Sequence, residues 1–333
     1  MTPKVSVIIP NYNHALYLHQ RIDSVLNQSL QPYEIIILDD CSTDNSIEII
    51  ESYIFKFPGI KFIQNAFNSG STFAQWNKGV SIAKGDLIWI AESDDVAEPT
   101  FLATMVGAFN FEQTLSLAFS QSSRMNEEGS IVGTWLNHTD EFDTELFKNN
   151  FLMNGIEFIE KFLIHKNCIP NASAVVFKKN IYLNVGSTEL PLKMLGDWLV
   201  WIKILTCGKV AFFAKELNSF RFHSQSAIAK SVEMKNFYNY YDELYAYSMR
   251  KCLMKEIHKK KLFFSKLIIC ENRKYYNLEL LNMSMYYIQK RQFIKGWKLI
   301  IIISFTSVFS IRVIKRALSS TINSIKPIYN QFK

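Results

Sequence analysis

Along the first hundred residues the hydrophobic positions switch between two periods. Near-continuous apolar, β-branched runs occur at Val5–Ile9, Ile35–Leu38, Ile60–Ile63 and Leu87–Ala91. Short runs that are apolar on both faces predict strands covered on both sides. Between them the spacing changes to three and four. Ile47, Ile50, Ile54 and Phe57 form one such series, and Phe73, Trp76, Val80 and Ala83 form another. Each predicts an amphipathic helix, and the stretch from Ser42 to Ser46 supplies N-cap candidates before the first. Strands alternating with helices predict βαβ units, hence an α/β fold with a mostly parallel sheet flanked by helices.

Beyond residue 100 the pattern predicts a helix near Phe101–Phe109 and strands near Leu115–Ser120 and Ala172–Phe177. Gly196–Leu205 reads as a helix with Trp198, Trp201, Ile202 and Leu205 on one face. Each early strand run breaks into a polar cluster: Pro10–Asn13, Asp39–Asp44, Asn65–Gly70 and Glu92–Asp95. In an open α/β sheet such breaks gather at the carboxyl edge, where ligands bind. Residues up to eighty positions apart are therefore expected to be neighbours.

Composition narrows the class. The chain has 333 residues, 48% hydrophobic, enough for one large core or two modest ones. Its five cysteines contain no CxxC pair, which argues against a disulfide framework or a zinc site and fits a reducing, cytoplasmic compartment. Met1 to Pro10 runs straight into a strand pattern without the long apolar region of a secretory signal. The net charge of +7 is divided unevenly. From Arg250 to Lys333 there are 18 Lys and Arg against 3 Asp and Glu, while residues 1–249 carry 19 against 27. An acidic body of that kind is not built to grip a nucleic acid. The composition shift marks a candidate boundary near Arg250. Within the basic tail, Leu299–Ile311 is uncharged and flanked by Lys295, Lys298, Arg312, Lys315 and Arg316. It is too short to span a bilayer, and fits either an interfacial segment on anionic lipid or a helix packed on the core.

Two polar clusters carry candidate chemistry. Glu92-Ser-Asp-Asp95 after a buried strand suits a hard divalent cation, Mg2+ or Mn2+, held by carboxylate oxygen with positions open for phosphate. The other reading is a polar loop that caps the next helix. Asp39 and Asp40 can accept from a base N–H or a ribose hydroxyl, or can serve as turn and cap residues.

The set Val5-Ser-Val-Ile-Ile-Pro-Asn-Tyr-Asn13, Ile37–Asp44, Asn68-Ser-Gly70, Asn77-Lys-Gly79, Gly85-Asp86 and Glu92–Asp95 resembles the family 2 inverting glycosyltransferases of GT-A fold. The resemblance continues through Asn171–Gly186, Gly196-Asp197 and Phe220-Arg-Phe-His223, and ends near residue 230. It implies a GT-A domain over 1–230; the composition leaves 231–333 as a helical, basic extension, suited either to associating with a membrane or to packing on the core. The resemblance also implies metal-dependent, inverting transfer from a nucleotide-sugar, commonly a UDP-sugar. The acceptor would be a saccharide or lipid-linked saccharide hydroxyl, in polysaccharide synthesis at the inner face of the membrane. By the same resemblance Pro10, Tyr12, Asn13, Asp39, Asp40, Asn68, Gly70, Asn77 and Glu92 bind the donor, with Tyr12 and Asp39 at the base and Glu92 at the ribose and diphosphate. Asp94 becomes the principal metal ligand, with Asp95 and His223 supporting it, and Asp197 the catalytic base. Asp197 read alone is equally a helix cap. Two positions depart from the family pattern: Glu92 stands where aspartate is commoner, and Gln75-Trp76 where Ala-Arg is frequent. The rival readings are a nucleotidyltransferase, for which the first loop lacks a Gly-rich basic phosphate cradle, and an inactive nucleotide-sugar-binding or scaffold protein.

Overall fold

The computed structural model describes residues 2–306 apart from 141, 143–144, 187–191, 193–194, 225, 227–240 and 290–291. The chain divides into two compact units, Met1–His223 and Ser224–Lys333. The composition shift near Arg250 does not mark the division. It falls inside the helix Tyr241–Lys259, because the basic residues accumulate only along that helix's second half and beyond.

In the first unit β1 (Val5–Asn11), β2 (Glu34–Asp39), β3 (Ile60–Gln64) and β4 (Leu87–Ile90) occupy the four apolar runs. They pair in parallel in the order β3-β2-β1-β4, so their carboxyl ends share one edge. All seven residues of β1 are buried. Helices α1 (Ala15–Leu26), α2 (Ser46–Lys56) and α3 (Thr72–Ile82) make the crossovers. Apolar spacing does not single out α1, because Arg21 and Ser24 share its buried face with Leu18, Ile22 and Val25.

The parallel run ends at β4. After β5 (Val96–Ala97), α4 (Phe101–Phe111), β6 (Leu115–Met125), β7 (Ile131–Thr134), β8 (Phe151–Asn154) and the short α5 (Gly155–Phe158), strand β9 (Val175–Lys178) enters antiparallel to both β4 and β6. The sheet is therefore mixed. Ala172–Ala174, expected as strand, is a 3-10 turn, since the Asn171 side chain accepts from Ala174 N at 3.0 Å. Strand β6 runs five residues past the apolar stretch, burying Gln121, Ser122 and Ser123 against β10 (Lys209–Arg221). Between them lie α6 (Lys179–Asn184) and α7 (Gly196–Leu205), the latter as its spacing predicts.

The second unit contains the helices Tyr241–Lys259, Lys266–Gln289 and Phe293–Thr306. Leu280, Leu281 and Ile303 form one buried cluster, with Leu299 and Tyr276 against it, and Ile288 with Ile300 form another. Gly296 allows the last helix to approach closely: a Cβ there would stand 2.9 Å from Ser284 O. The first part of the Leu299–Ile311 stretch thus contributes to a helical core. Residues 307–311, with Arg312, Lys315 and Arg316, lie outside the described residues. No helix among the described residues is long and apolar enough to cross a membrane.

Candidate active site

The loops at the carboxyl edge are tied together by carboxylates. Asp39, fully buried at the end of β2, accepts from Ser42 N (2.8 Å), Ser42 Oγ (2.5 Å) and Asn11 Nδ2 (2.8 Å). Asp40 accepts from Asn65 Nδ2 (2.6 Å), Ser69 N (2.9 Å), Ser69 Oγ (2.7 Å) and Gln75 Nε2 (2.8 Å). Each carboxylate joins segments about thirty positions apart and offers most of its lone pairs to the protein. Gln75 here holds Asp40 rather than a ligand. Pro10 is buried in β1, whereas Tyr12 is 45% exposed and presents its ring at the edge. Asn13 has a left-handed backbone (φ 55°), and its Oδ1 accepts from Thr43 N at 2.7 Å, locking the first loop to the second. Asn68 Oδ1 accepts from Gly70 N at 2.5 Å, with Gly70 at φ 66°, so this pair shapes the third loop. Asn77 accepts from Tyr182 Oη at 2.7 Å, joining α3 to α6.

The acidic loop after β4 divides its side chains. Asp94 Oδ2 lies 3.0 Å from His223 Nε2. One ligand atom each from His14, Asp94 and His223 lie within 4.8 Å of one another. Burial works against charge on Asp94, but the His223 hydrogen bond and the nearby His14 hold its carboxyl below the usual aspartate range. Asp95, expected as a supporting metal ligand, does not join them. Its Oδ1 accepts from Arg221 N at 3.0 Å, and its Oδ2 lies 4.0 Å from the buried Arg21. Burial and the charge of Asp94 raise its pKa. Arg21 Nε donates to Glu92 O and Arg221 Nε to Asp94 O, each at 2.7 Å, so two buried guanidiniums hold the acidic loop from behind.

Glu92 is half-buried and pushed up to about 8, by burial first and by the charge of Asp94 second. Trp76 Nε1 donates to its Oε1 at 2.8 Å and opposes part of that rise. Burial thus makes the Glu92 carboxyl harder to ionise than an ordinary glutamate. Trp76, which the apolar spacing assigns to the core, is indeed 2% exposed; its indole edge reaches the site.

Asp197 lies in the first turn of α7. Gly196 before it is required by packing, since a Cβ would meet the Phe73 ring at 2.6 Å. Asn167 Nδ2 donates to Asp197 Oδ2 at 3.0 Å. Burial raises the Asp197 pKa, and the Trp198 N–H and Asn167 act against that. A carboxylate made more basic than usual yet held in one orientation is suited to taking a proton. Trp198 donates to Leu163 O at 2.6 Å and Trp201 is buried beside Trp76, their ring centroids 6.0 Å apart, so both tryptophans are packing. One continuous set of contacts, Gly196 to Phe73 to Trp76 to Glu92, connects the helix bearing Asp197 to the acidic loop.

His14, Arg21 and Arg221 were not marked by the sequence pattern. The signal for His14 was its position directly after Asn13. Burial of Arg21 and Arg221 had no sequence signal beyond an arginine on an apolar helix face and one in a strand.

The sequence profile of glycosyl transferase family 2 matches residues 6–173. Over 188 residues the chain is 39% identical to a poly(ribitol-phosphate) beta-glucosyltransferase of Bacillus spizizenii, covering 54% of this chain and 30% of that protein. A chondroitin synthase of Pasteurella multocida is 32% identical over 155 residues, 45% of this chain and 16% of that protein. The chain spans between 16% and 53% of the length of the first curated relatives it matches. Among solved structures, S. aureus TarS 1-349 in complex with UDP-GlcNAc has a TM-score of 0.66 at 17% identity, covering 99% of this chain and 92% of that one, a likeness of fold. The family profile extends over half of the chain, from the donor-edge loops through Asn171, and the chain belongs to glycosyl transferase family 2.

Proposed function

We propose that this protein transfers a sugar from a nucleotide diphosphate sugar, a UDP-sugar in particular, to an acceptor hydroxyl with inversion at the anomeric carbon. The observation that carries the reading is the meeting of Asp94 and His223, 3.0 Å apart, at the sheet edge where α/β folds bind nucleotides. The residues fit a divalent cation. Asp94, His223 and His14 converge, and the buried Nδ1 of His223 has no hydrogen-bond partner among the described residues. A bound Mg2+ or Mn2+ would supply Lewis-acid stabilisation of the diphosphate leaving group. The chain's own residues do the rest. Tyr12 offers its exposed ring to the base, Glu92 faces the ribose and diphosphate, and Asp197 takes the acceptor proton as the hydroxyl attacks. The interlocked loops keep these groups in place before the donor arrives.

Two structures of one neighbour support a uridine donor: TarS has been crystallised with UDP and with UDP-GlcNAc. The Bacillus spizizenii relative is named for poly(ribitol-phosphate), which supports a hydroxyl of a polymer as acceptor. The basic second unit, with Phe263 69%, Ile294 76% and Ile301 53% exposed, is suited to peripheral contact with an anionic inner membrane face. The test is a panel of nucleotide-sugars with Mn2+, read by thermal stabilisation and by nucleotide release. One donor should raise the melting temperature by mass action and release its nucleotide when acceptor is added. Absence of both effects across UDP-, GDP-, CDP- and dTDP-sugars would overturn the reading.

A further inference from the structure

We propose that His14 is a third protein ligand of the cation site, and that the resulting set of two imidazoles and one carboxylate selects Mn2+ over Mg2+. The inference rests on the reading that a cation binds at Asp94. Three features of His14 carry it.

The first is convergence. His14, Asp94 and His223 come from the turn into α1, the loop after β4 and the end of β10, yet their ligand atoms lie within 4.8 Å of one another. Metal–ligand bonds of about 2.0–2.2 Å place ligand atoms roughly 3 Å apart when adjacent and about 4.2 Å apart when opposite. Small side-chain rotations therefore close this trio on an ion.

The second is support. His14 Nδ1 lies 2.7 Å from Oγ of the buried Ser93, the residue next to Asp94. A hydrogen bond to one ring nitrogen fixes the tautomer and orientation of a histidine that ligates through the other. The His14 ring also meets the His223 ring edge-on, centroids 5.3 Å apart at 84°, and Tyr17 closes the far side of both at 5.8 and 4.7 Å. The two imidazoles are held as a pair.

The third is donor chemistry. Mg2+ takes oxygen ligands and gives up water reluctantly. Carboxylate suits Mg2+, Ca2+ and Mn2+ alike, and of these Mn2+ alone belongs to the first-row series that sites with nitrogen ligands bind. A site built from carboxylates alone would suit Mg2+; with His14 in the place expected for Asp95, two imidazoles and one carboxylate move the preference toward Mn2+.

The experiment uses the full chain and Mn2+ alone, with free ion counted by electron paramagnetic resonance and bound ion examined for nitrogen coupling by electron spin echo modulation. The unaltered protein should show two coordinated imidazoles. His14→Ala should show one and bind Mn2+ about tenfold more weakly or worse, the scale at which even supporting groups act at metal sites. His14→Asp should keep binding but exchange Mn2+ for Mg2+ at a lower Mg2+ excess than the unaltered protein needs. Unchanged nitrogen coupling and affinity in His14→Ala, with binding lost in Asp94→Asn, would overturn the role of His14 and leave the cation site standing. Failure of the unaltered protein to bind Mn2+ with or without UDP would remove both. Should His14→Ala lose its fold, an unshifted Mg2+/Mn2+ preference in His14→Asp decides against the proposal.

Discussion

His223 Nε2 contacts Asp94 Oδ2 at 3.0 Å across 129 positions of sequence. The contact exists because β10 runs parallel to β6 with bulges between Phe213 and Asn218, and so delivers Arg221 and His223 behind the loop that follows β4. Asp94→Asn keeps the size of the side chain and removes the charge that attracts a cation. It should lower kcat/KM by about 10²–10³-fold, the cost of removing a group that stabilises transition-state charge. The melting temperature of the ion-free variant should stay near that of the unaltered protein. Retained turnover at saturating Mn2+ would move the cation site elsewhere.

Asp197→Asn should bind donor as before and transfer about 10²–10⁴-fold more slowly, since the amide cannot take the hydroxyl proton. Nucleotide binding by calorimetry and transfer in a single-turnover assay separate the two effects.

The pH dependence has a defined sign. A general base works deprotonated, so kcat/KM should fall as pH drops through the Asp197 pKa, which burial has raised. Asn167 donates to the charged form and lowers that pKa. Asn167→Ala should therefore move the acid limb of the profile to higher pH. A rate loss in this variant with an unmoved acid limb would show that Asn167 does not set the base.

Gly196→Ala tests the seating of α7. The added methyl would stand 2.6 Å from the Phe73 ring. Overpacking of this kind costs about 1–3 kcal/mol, to be measured by urea unfolding. Transfer should fall as well, because Asp197 is the next residue. A stability unchanged within about 0.5 kcal/mol would show that the α3–α7 contact yields easily.

The 333-residue chain should sediment with anionic vesicles at low salt and much less at 1 M salt, as the screening length shrinks from about 10 Å at 0.1 M to about 3 Å. Neutral vesicles should retain only the apolar contribution. Equal sedimentation with both kinds of vesicle would remove the electrostatic part of the membrane reading.

The sequence by itself determined the elements whose causes are local. Apolar runs of four or five residues specify β1 to β4, and spacings of three and four specify α2, α3 and α7, because strand and helix periods repeat within a few residues. The polar breaks after those runs place Tyr12 and Asp94 among the candidates, and the family resemblance adds Asp197. Tertiary structure decided the rest. Entry of β9 antiparallel between β4 and β6 depends on strand order, which no local period encodes. Which internal donors Asp39 and Asp40 meet is a tertiary fact too, since those partners lie as far away as Asn11 and Gln75. Asp95 is chemically indistinguishable from Asp94 in a string of letters, and only the burial of Arg21 and Arg221 behind the loop separates the two. Charge and hydrogen-bond capacity are properties of a residue; which of them remains available to a substrate is settled by what folding brings beside it.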